Sequence, residues 1–412
     1  MTMPVLPEPE GQIDVLTPAG FQPGVWTILP PAGSRPEVTR VDPVAGAAVA
    51  GKLASGELAR VVAETLSGGL RHGVQVIRLA TPRCELEVVL SRGGGIGYLA
   101  FDGTSVGWQS PVPGPVHPSF VPLYRPDGLG WLAGFDEVLA RCGLFNVGGP
   151  QFNAQHQLVH PLHGDVAYWP CQSAVVYYQP TTEQVVLETT TDIVLFHFHH
   201  LTLKSSVRLS VVQPRVEVHD TIVNQGGRSA EVMLLHHWNF GPPVADGGSR
   251  LEIPYQEVAP RNAHAAAAVA NWNVLDPSQP GAEETVYFLT PQSDNAGRGH
   301  ALLVRPDETS GLHMTWDLST MPYLTLWKNP VARVDGYAVG IEPGTCYPNG
   351  RDHESTANRL RHLPPGQSLQ VDVAIEGLQS ATAVQDAQRV VRGLQPADST
   401  VATLPQAKFG PV

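Results

Sequence analysis

The chain has 412 residues, 42% apolar and 16% charged, which suits one large or two ordinary globular domains and excludes a disordered chain. Its net charge is −12, from 26 Lys and Arg against 38 Asp and Glu. No basic cluster offsets that charge, so neither nucleic acid nor an anionic membrane surface is an expected partner. No apolar run approaches the ~18 residues of a membrane helix, and the opening MTMPVLPEPEGQIDVL lacks the basic-then-apolar pattern of a secretory leader.

Residues 1–45 are rich in proline and are expected to form an irregular extension. The next stretch, KLASGELARVVAETLSGG, places Leu58, Val61, Val62 and Leu66 at helical spacing before Gly68-Gly69, which predicts a short helix. From about residue 70 the pattern alternates in short runs punctuated by glycine and proline. Examples are HGVQVIRLAT, CELEVVLSR, HLTLKSSVRLSVVQ, RVEVHDTIVNQ and AEVMLLHHWNF, then LHMTWDL, YLTLWKN and SLQVDVAIEGL. With 41 Gly and 38 Pro supplying turns, this predicts an all-β, mainly antiparallel sandwich or barrel over 46–378. A C-terminal helix with Val384, Ala387, Val391 and Leu394 on one stripe, followed by a tail, is expected over 379–412. No βαβ rhythm, glycine-rich phosphate loop or short repeat is visible. Cys84, Cys142, Cys171 and Cys346 form no C-x-x-C pair, which argues against a zinc knuckle and suits a reducing, cytoplasmic setting.

Histidines carry the chemistry, in four settings: His160 and His163 in HPLHGD, His197 to His200 in LFHFHHLTL, His236-His237 in LLHHWNFGPP, and His353 in GRDHES. Read as strand residues, His197 and His199 share a face and could ligate a metal, although a site needs three or four ligands. His236 and His237 have opposite parity, so only one of them can face a core. Glu342 ends an apolar strand before Pro343-Gly344, where burial would raise its pKa toward that of a general base; Arg351, nine residues on, could pair with it and oppose that shift. Trp108, Trp131, Trp169, Trp238 and Trp327 lie in or beside polar or glycine-rich turns, and one or two of them suit the apolar face of a pyranose.

Three ordered motifs, PLHG at 161–164, HHWNFG at 236–241 and VGIEPGTCYPNGR at 339–351, resemble the aldose 1-epimerase (galactose mutarotase-like) superfamily, in a poorly characterised branch. SRGGGIGYLAFDG, GLGWLAGFDEVLARCGL and MPYLTLWKN look like further segments of that branch, and the resemblance covers about residues 50–378. It implies a galactose mutarotase-like β-supersandwich with a few short helices and a sugar on its concave face. It implies Glu342 as general base, His237 as general acid and His163 as the second histidine. Candidate substrate contacts are Arg92, Arg141, Asn239, Trp327, Lys328 and Arg351. One departure is Trp238-Asn239-Phe240, where typical mutarotases have Tyr-Phe-Asn after the acid histidine. The expected function is cofactor-independent and metal-free anomeric epimerisation of a small free sugar, and a homodimer is compatible with it. The alternatives are a non-catalytic carbohydrate-binding protein on the same fold and a metal-dependent sugar isomerase or lyase built on His197 and His199. Glycoside hydrolysis would need two carboxylates about 5–9 Å apart, and the sequence marks no convincing second one beside Glu342.

Overall fold

The computed structural model describes residues 25–29, 47–52 and 58–411, with side chains from residue 59 onward. The strands that matter most for the site are β1 (Gly95–Phe101), β2 (Leu139–Leu144), β3 (Gln184–Leu195), β4 (His199–Ser210), β5 (Arg215–Asn224), β6 (Ala230–Phe240), β7 (Tyr323–Asn329), β8 (Ala338–Gly344) and β9 (Ser368–Leu378). Among the described residues the strands form one sheet of 14 and one of nine, plus a small hairpin. The longer sheet runs 47–52, 58–65, 75–80, 84–89, β1, β2, β6, β8, β7, 285–291, 255–260 and 400–401, with 104–105 paired to β1 and 361–363 paired to β6 off this path. The shorter runs 25–29, 173–179, β3, β4, β5, β9, 311–317, 298–304 and 250–252. Nearly all pairings are antiparallel, and sequential hairpins build most of them.

Alternation explains the layering. On β6, Val232, Leu234, Trp238 and Phe240 join the core between the sheets, with Leu187 from β3, Leu203 from β4, Val218 from β5 and Val373 from β9. Met233 and Leu235, of opposite parity, point to the other side of the long sheet. There they meet a second apolar cluster made with Val116, Val121, Trp131, Phe135, Val147 and Tyr168. Those partners come from loops spanning 106–135 and 145–168, which cover the outer face of the long sheet as a cap.

The predicted helix over 52–69 is instead the strand Leu58–Thr65, paired with 47–52 and 75–80. Tertiary pairing overrides the local spacing: the two-residue alternation Ala59, Val61, Ala63 feeds the core. Val25–Leu29, inside the stretch expected to be irregular, is a strand paired with 173–179; the rest of 1–45 lies outside the described residues. The C-terminal helix is present as α1 (Ala381–Gly393), capped by the Ser380 hydroxyl accepting from Ala383 N at 3.1 Å. Val384, Ala387 and Val391 seat it on Leu302, Val304 and Leu378.

His197 is not on a strand face. It sits at φ 70 in the turn between β3 and β4, so it and His199 do not share the spacing of strand neighbours. Among the described residues no group of three His, Cys, Asp or Glu side chains is placed to hold a metal ion. No helix among them is long and apolar enough to cross a membrane.

Candidate active site on the capped face of the long sheet

The site is a row across neighbouring strands. The pairs Leu235↔Gly344 and Trp238↔Ile341 set the β6–β8 register, which puts His237 opposite Glu342. Ala140 faces His237 from β2, and Thr325 faces Glu342 from β7. Directly opposed residues share a face, so Ala140, His237, Glu342 and Thr325 line up beneath the cap. The small Ala140 leaves room beside the imidazole. Gly340 does the same for the carboxylate: a Cβ there would stand 2.5 Å from Glu342 Oε1 and 3.1 Å from the Trp327 ring.

His237 Nε2 lies 3.3 Å from Glu342 Oε1, and the two residues are 5% and 2% exposed. Aromatic rings wall the pair. Phe135 is 5.2 Å from the His237 ring, Trp327 5.5 Å and Trp131 6.3 Å, centroid to centroid. Trp108 packs on Phe135 at 4.7 Å. Trp131 and Phe135 are delivered by the tight turn Gly130–Gly134 and its exit. His163 completes the wall, 4.7 Å from Trp131 and 5.5 Å from His237. It sits at φ 57 in the PLHG turn, its backbone locked by Gly143 N to His163 O at 3.0 Å and His163 N to Gly148 O at 2.9 Å.

Burial dominates the electrostatics. It holds His237 well below the usual imidazole range, helped by the neighbouring His163 and opposed by the Asn239 side chain. It holds Glu342 well above the usual carboxylate range, with Glu284 reinforcing and Arg261 opposing. The pair therefore favours a neutral imidazole beside a protonated carboxyl. Burial also pushes His163 down to about 4. Its Nδ1 is 2.7 Å from Val147 O, an acceptor, so Nδ1 carries the hydrogen and Nε2 is left as an acceptor.

Buried polar atoms in folded proteins are nearly always paired. Here Glu342 Oε1, His237 Nδ1, Thr325 Oγ1, Asn239 Oδ1 and Trp131 Nε1 are all buried without a hydrogen-bond partner. This group of orphaned donors and acceptors around one carboxyl–imidazole contact can hydrogen-bond a polar ligand.

The other expected contacts divide. Trp327 and Asn239 flank the pair; Asn239 Nδ2 donates to Glu137 O and His237 O, each at 3.0 Å. Arg92, Arg141, Lys328 and Arg351 are not brought to it, because each cation is already held by acidic or carbonyl oxygens. Arg92 is fully buried against Asp136 at 2.6 Å and Glu137 at 2.5 Å. Arg141 points between the sheets, forked onto Asp220 at 2.6 and 3.0 Å. It also donates to Ser205 Oγ and Gly94 O, each at 2.8 Å. Lys328, on the opposite face of β7 from Trp327, meets Asp276 at 2.9 Å. Arg351 pairs with Glu231 at 3.0 Å and donates to Phe145 O at 3.0 Å, so it does not neutralise Glu342. Of the tryptophans, Trp238 fills the core between the sheets, and Trp169 donates to Asp165 at 3.1 Å.

Thr325, Phe135 and Arg261 were not legible as site residues. For Thr325 a signal existed: it shares parity with Trp327, two residues away. Phe135 follows Trp131 by one turn in GLGWLAGF, and nothing in the sequence marks Arg261.

A two-sheet, antiparallel supersandwich whose long sheet carries a capped polar site is the galactose mutarotase-like fold, and solved structures agree. A putative aldose 1-epimerase from Klebsiella pneumoniae superposes with a TM-score of 0.85 at 24% identity, covering 92% of this chain and 97% of its own. The Slr1438 protein of Synechocystis scores 0.51 at 16% identity, over 77% and 98% of the two chains. A galactose mutarotase-like protein of Clostridium acetobutylicum scores 0.50 at 14%, over 76% and 97%. Within that fold, residues 71–376 match the family described as a domain of unknown function, DUF4432, and the chain belongs to that family. Among curated proteins none matches.

Proposed function

We propose that the protein is a cofactor-independent sugar 1-epimerase that interconverts the anomers of a small free aldose or aldose derivative by ring opening. The observation that carries this reading is the buried contact of His237 with Glu342 at 3.3 Å. Ring opening removes a proton from the anomeric hydroxyl and delivers one to the ring oxygen. Both oxygens are bonded to the same carbon, so base and acid must converge on nearly one point, as this pair does.

Glu342 takes the anomeric proton as the O1–H electrons form the C1=O bond. The C1–O5 bond breaks, and His237 protonates O5. After rotation about C1–C2 the same groups run the steps backward on the other face of the carbonyl. The acting form is carboxylate plus imidazolium. It has the same proton count as the neutral pair that burial favours, so a proton shift within the contact produces it. Each proton transfer contributes roughly 10²–10⁴-fold. His163 Nε2 accepts from a sugar hydroxyl, Thr325 and Trp131 Nε1 supply further polar contacts, and Trp327 carries the C–H face of the ring. The four cysteines are all buried and unpaired, which supports a reducing, cytoplasmic setting.

Saturation-transfer NMR on a panel of free aldoses tests the reading. Glu342→Gln and His237→Asn are each expected to lose at least ~10²-fold in exchange rate with unchanged far-UV circular dichroism. Normal turnover by Glu342→Gln would remove it as the base. Sugar binding without faster exchange in the wild type would make the protein a carbohydrate binder.

A further inference from the structure

Among the described residues the exposed large aromatics are confined to one end of the molecule. They are Phe120, Tyr124, Phe152, Phe196 and Phe198, at 50, 64, 39, 80 and 76% exposure. Exposed Leu129, Leu132, Val159, Val194 and Leu195 come from the same three segments. Contacts tie these segments together. Phe145 packs on His199 at the base of the β3–β4 turn, with ring centroids 4.4 Å apart. Asp165 acts electrostatically on both His199 and Tyr124. Leu162 N donates to Gly128 O at 2.9 Å, and Gly128 abuts Pro150 and Leu158. Leu158 is the cross-strand partner of Phe152.

The β3–β4 hairpin also outruns its neighbours. The 173–179 strand pairs with β3 only as far as Thr190, and β5 pairs with β4 only from Leu201 onward. The rungs from Thr191↔Leu203 to Leu195↔His199 therefore extend past the adjoining strand on the β3 side. Only Val194↔His200 and Leu195↔His199 lie beyond both neighbouring strands, and this short projecting tip, marginal in water by itself, ends in Leu195-Phe196-His197-Phe198. A soluble protein seldom leaves an apolar patch of this size uncovered.

We propose that this end is a homodimer interface, in which the β3–β4 arm of each protomer lies on the Phe120–Leu132 surface of the other. A second copy fits because one protomer carries both halves of the contact, a protruding aromatic tip and a surface where exposed Phe120, Tyr124, Leu129 and Leu132 flank the Arg125–Asp127 ion pair. A two-fold axis buries both halves twice. At roughly 200 Å² per aromatic side chain, the exposed fractions of the five rings leave on the order of 600 Å² per protomer, close to the ~800 Å² per partner of a standard interface. The Phe120–Leu132 surface is the outer side of the segment that carries Trp131 and Phe135, so dimerisation also braces the cap over His237.

Sedimentation velocity of the full chain tests this across a concentration series. The wild type is expected to sediment as a dimer of the 44.2 kDa chain. Phe196→Asp/Phe198→Asp and, independently, Tyr124→Asp are each expected to raise the dissociation constant at least ~100-fold, the loss of an anchoring aromatic. Val334→Asp, equally exposed but outside this surface, should leave the dimer intact. Unchanged circular dichroism and thermal unfolding would show that the arm variants still fold; if one set does not fold, the other decides. A monomeric wild type overturns the proposal. A dimer that survives both sets of substitutions also overturns it, because the contact then lies elsewhere.

Discussion

His236 and His237 are neighbours on β6, both buried, and they do opposite things. His236 faces the other sheet, where its Nε2 meets Asp220 at 2.8 Å and Arg141 grips the same carboxylate from the side. Burial alone would raise that carboxyl, but Arg141 and then His236 overcome it and hold Asp220 well below the usual range. Around Asp220 the carboxylate and the Arg141 guanidinium are paired, while His236 Nδ1 and, two residues along the same face, Trp238 Nε1 are not. His237 faces the cap, beside a carboxyl that no cation neutralises and among five orphaned polar atoms. Burial does not separate structural from functional polar groups. Whether the partners are present does.

Substitutions can break this contrast in order of size. The largest effect belongs to the capped side and falls on rate: Glu342→Gln loses exchange activity by the factor given above while its melting temperature stays level or rises. Next comes the inner side. Asp220→Ala strands Arg141 without its counter-charge and is expected to cost about 3–5 kcal/mol of stability, read by urea denaturation. If the two variants traded these outcomes, the division between the faces would fail.

The pH dependence sharpens it. Glu342 has a folded pKa above its ordinary 4.5, so the folded state holds more protons and stability falls as pH rises from 4.5 toward the folded value. That decline should vanish in Glu342→Gln. Asp220 runs the other way: its folded pKa lies below 3.8, so its contribution is full above 3.8 and is lost as pH falls toward the folded value. Activity of the His237–Glu342 pair requires its net-neutral state. The acid limb of kcat/KM should therefore lie below the ordinary imidazole range, and the alkaline limb above the ordinary carboxylate range. These limbs belong to the pair jointly.

The smallest effect is at Thr325. Thr325→Val removes an orphaned hydroxyl at nearly constant shape, so stability is expected to hold or gain up to about 1 kcal/mol. KM for the sugar should rise up to about tenfold with kcat little changed. An unchanged KM would place the hydroxyl outside the sugar's reach.

The sequence made the all-β class legible because strand alternation and turn residues are local signals. His237 and Glu342 were legible through the ordered motifs HHWNFG and VGIEPG, although both lie within their strands, Ala230–Phe240 and Ala338–Gly344, and not at the strand ends expected. The strand at 58–65 was misread because valines at 61 and 62 fit a helical stripe as well as a sheet buried on both sides. The arginines were misjudged for a different reason. Arg92 and Arg141 look like ligand contacts beside glycine turns, but their counter-ions Glu137 and Asp220 are 45 and 79 residues away and meet them only once the strands assemble. Parity with Trp327 puts Thr325 on the same face, but its place opposite Glu342 comes from the β7–β8 register, which a single sequence does not specify.

The row Ala140, His237, Glu342, Thr325 is anchored in four adjacent ladders near the middle of a long sheet, and none of its members sits on a loop. Under the proposed mechanism the loops over 106–135 and 145–168 can therefore be rebuilt, and with them the choice of guest, while His237 and Glu342 keep their spacing. Relatives that prefer different sugars should differ in the roof and agree in the floor.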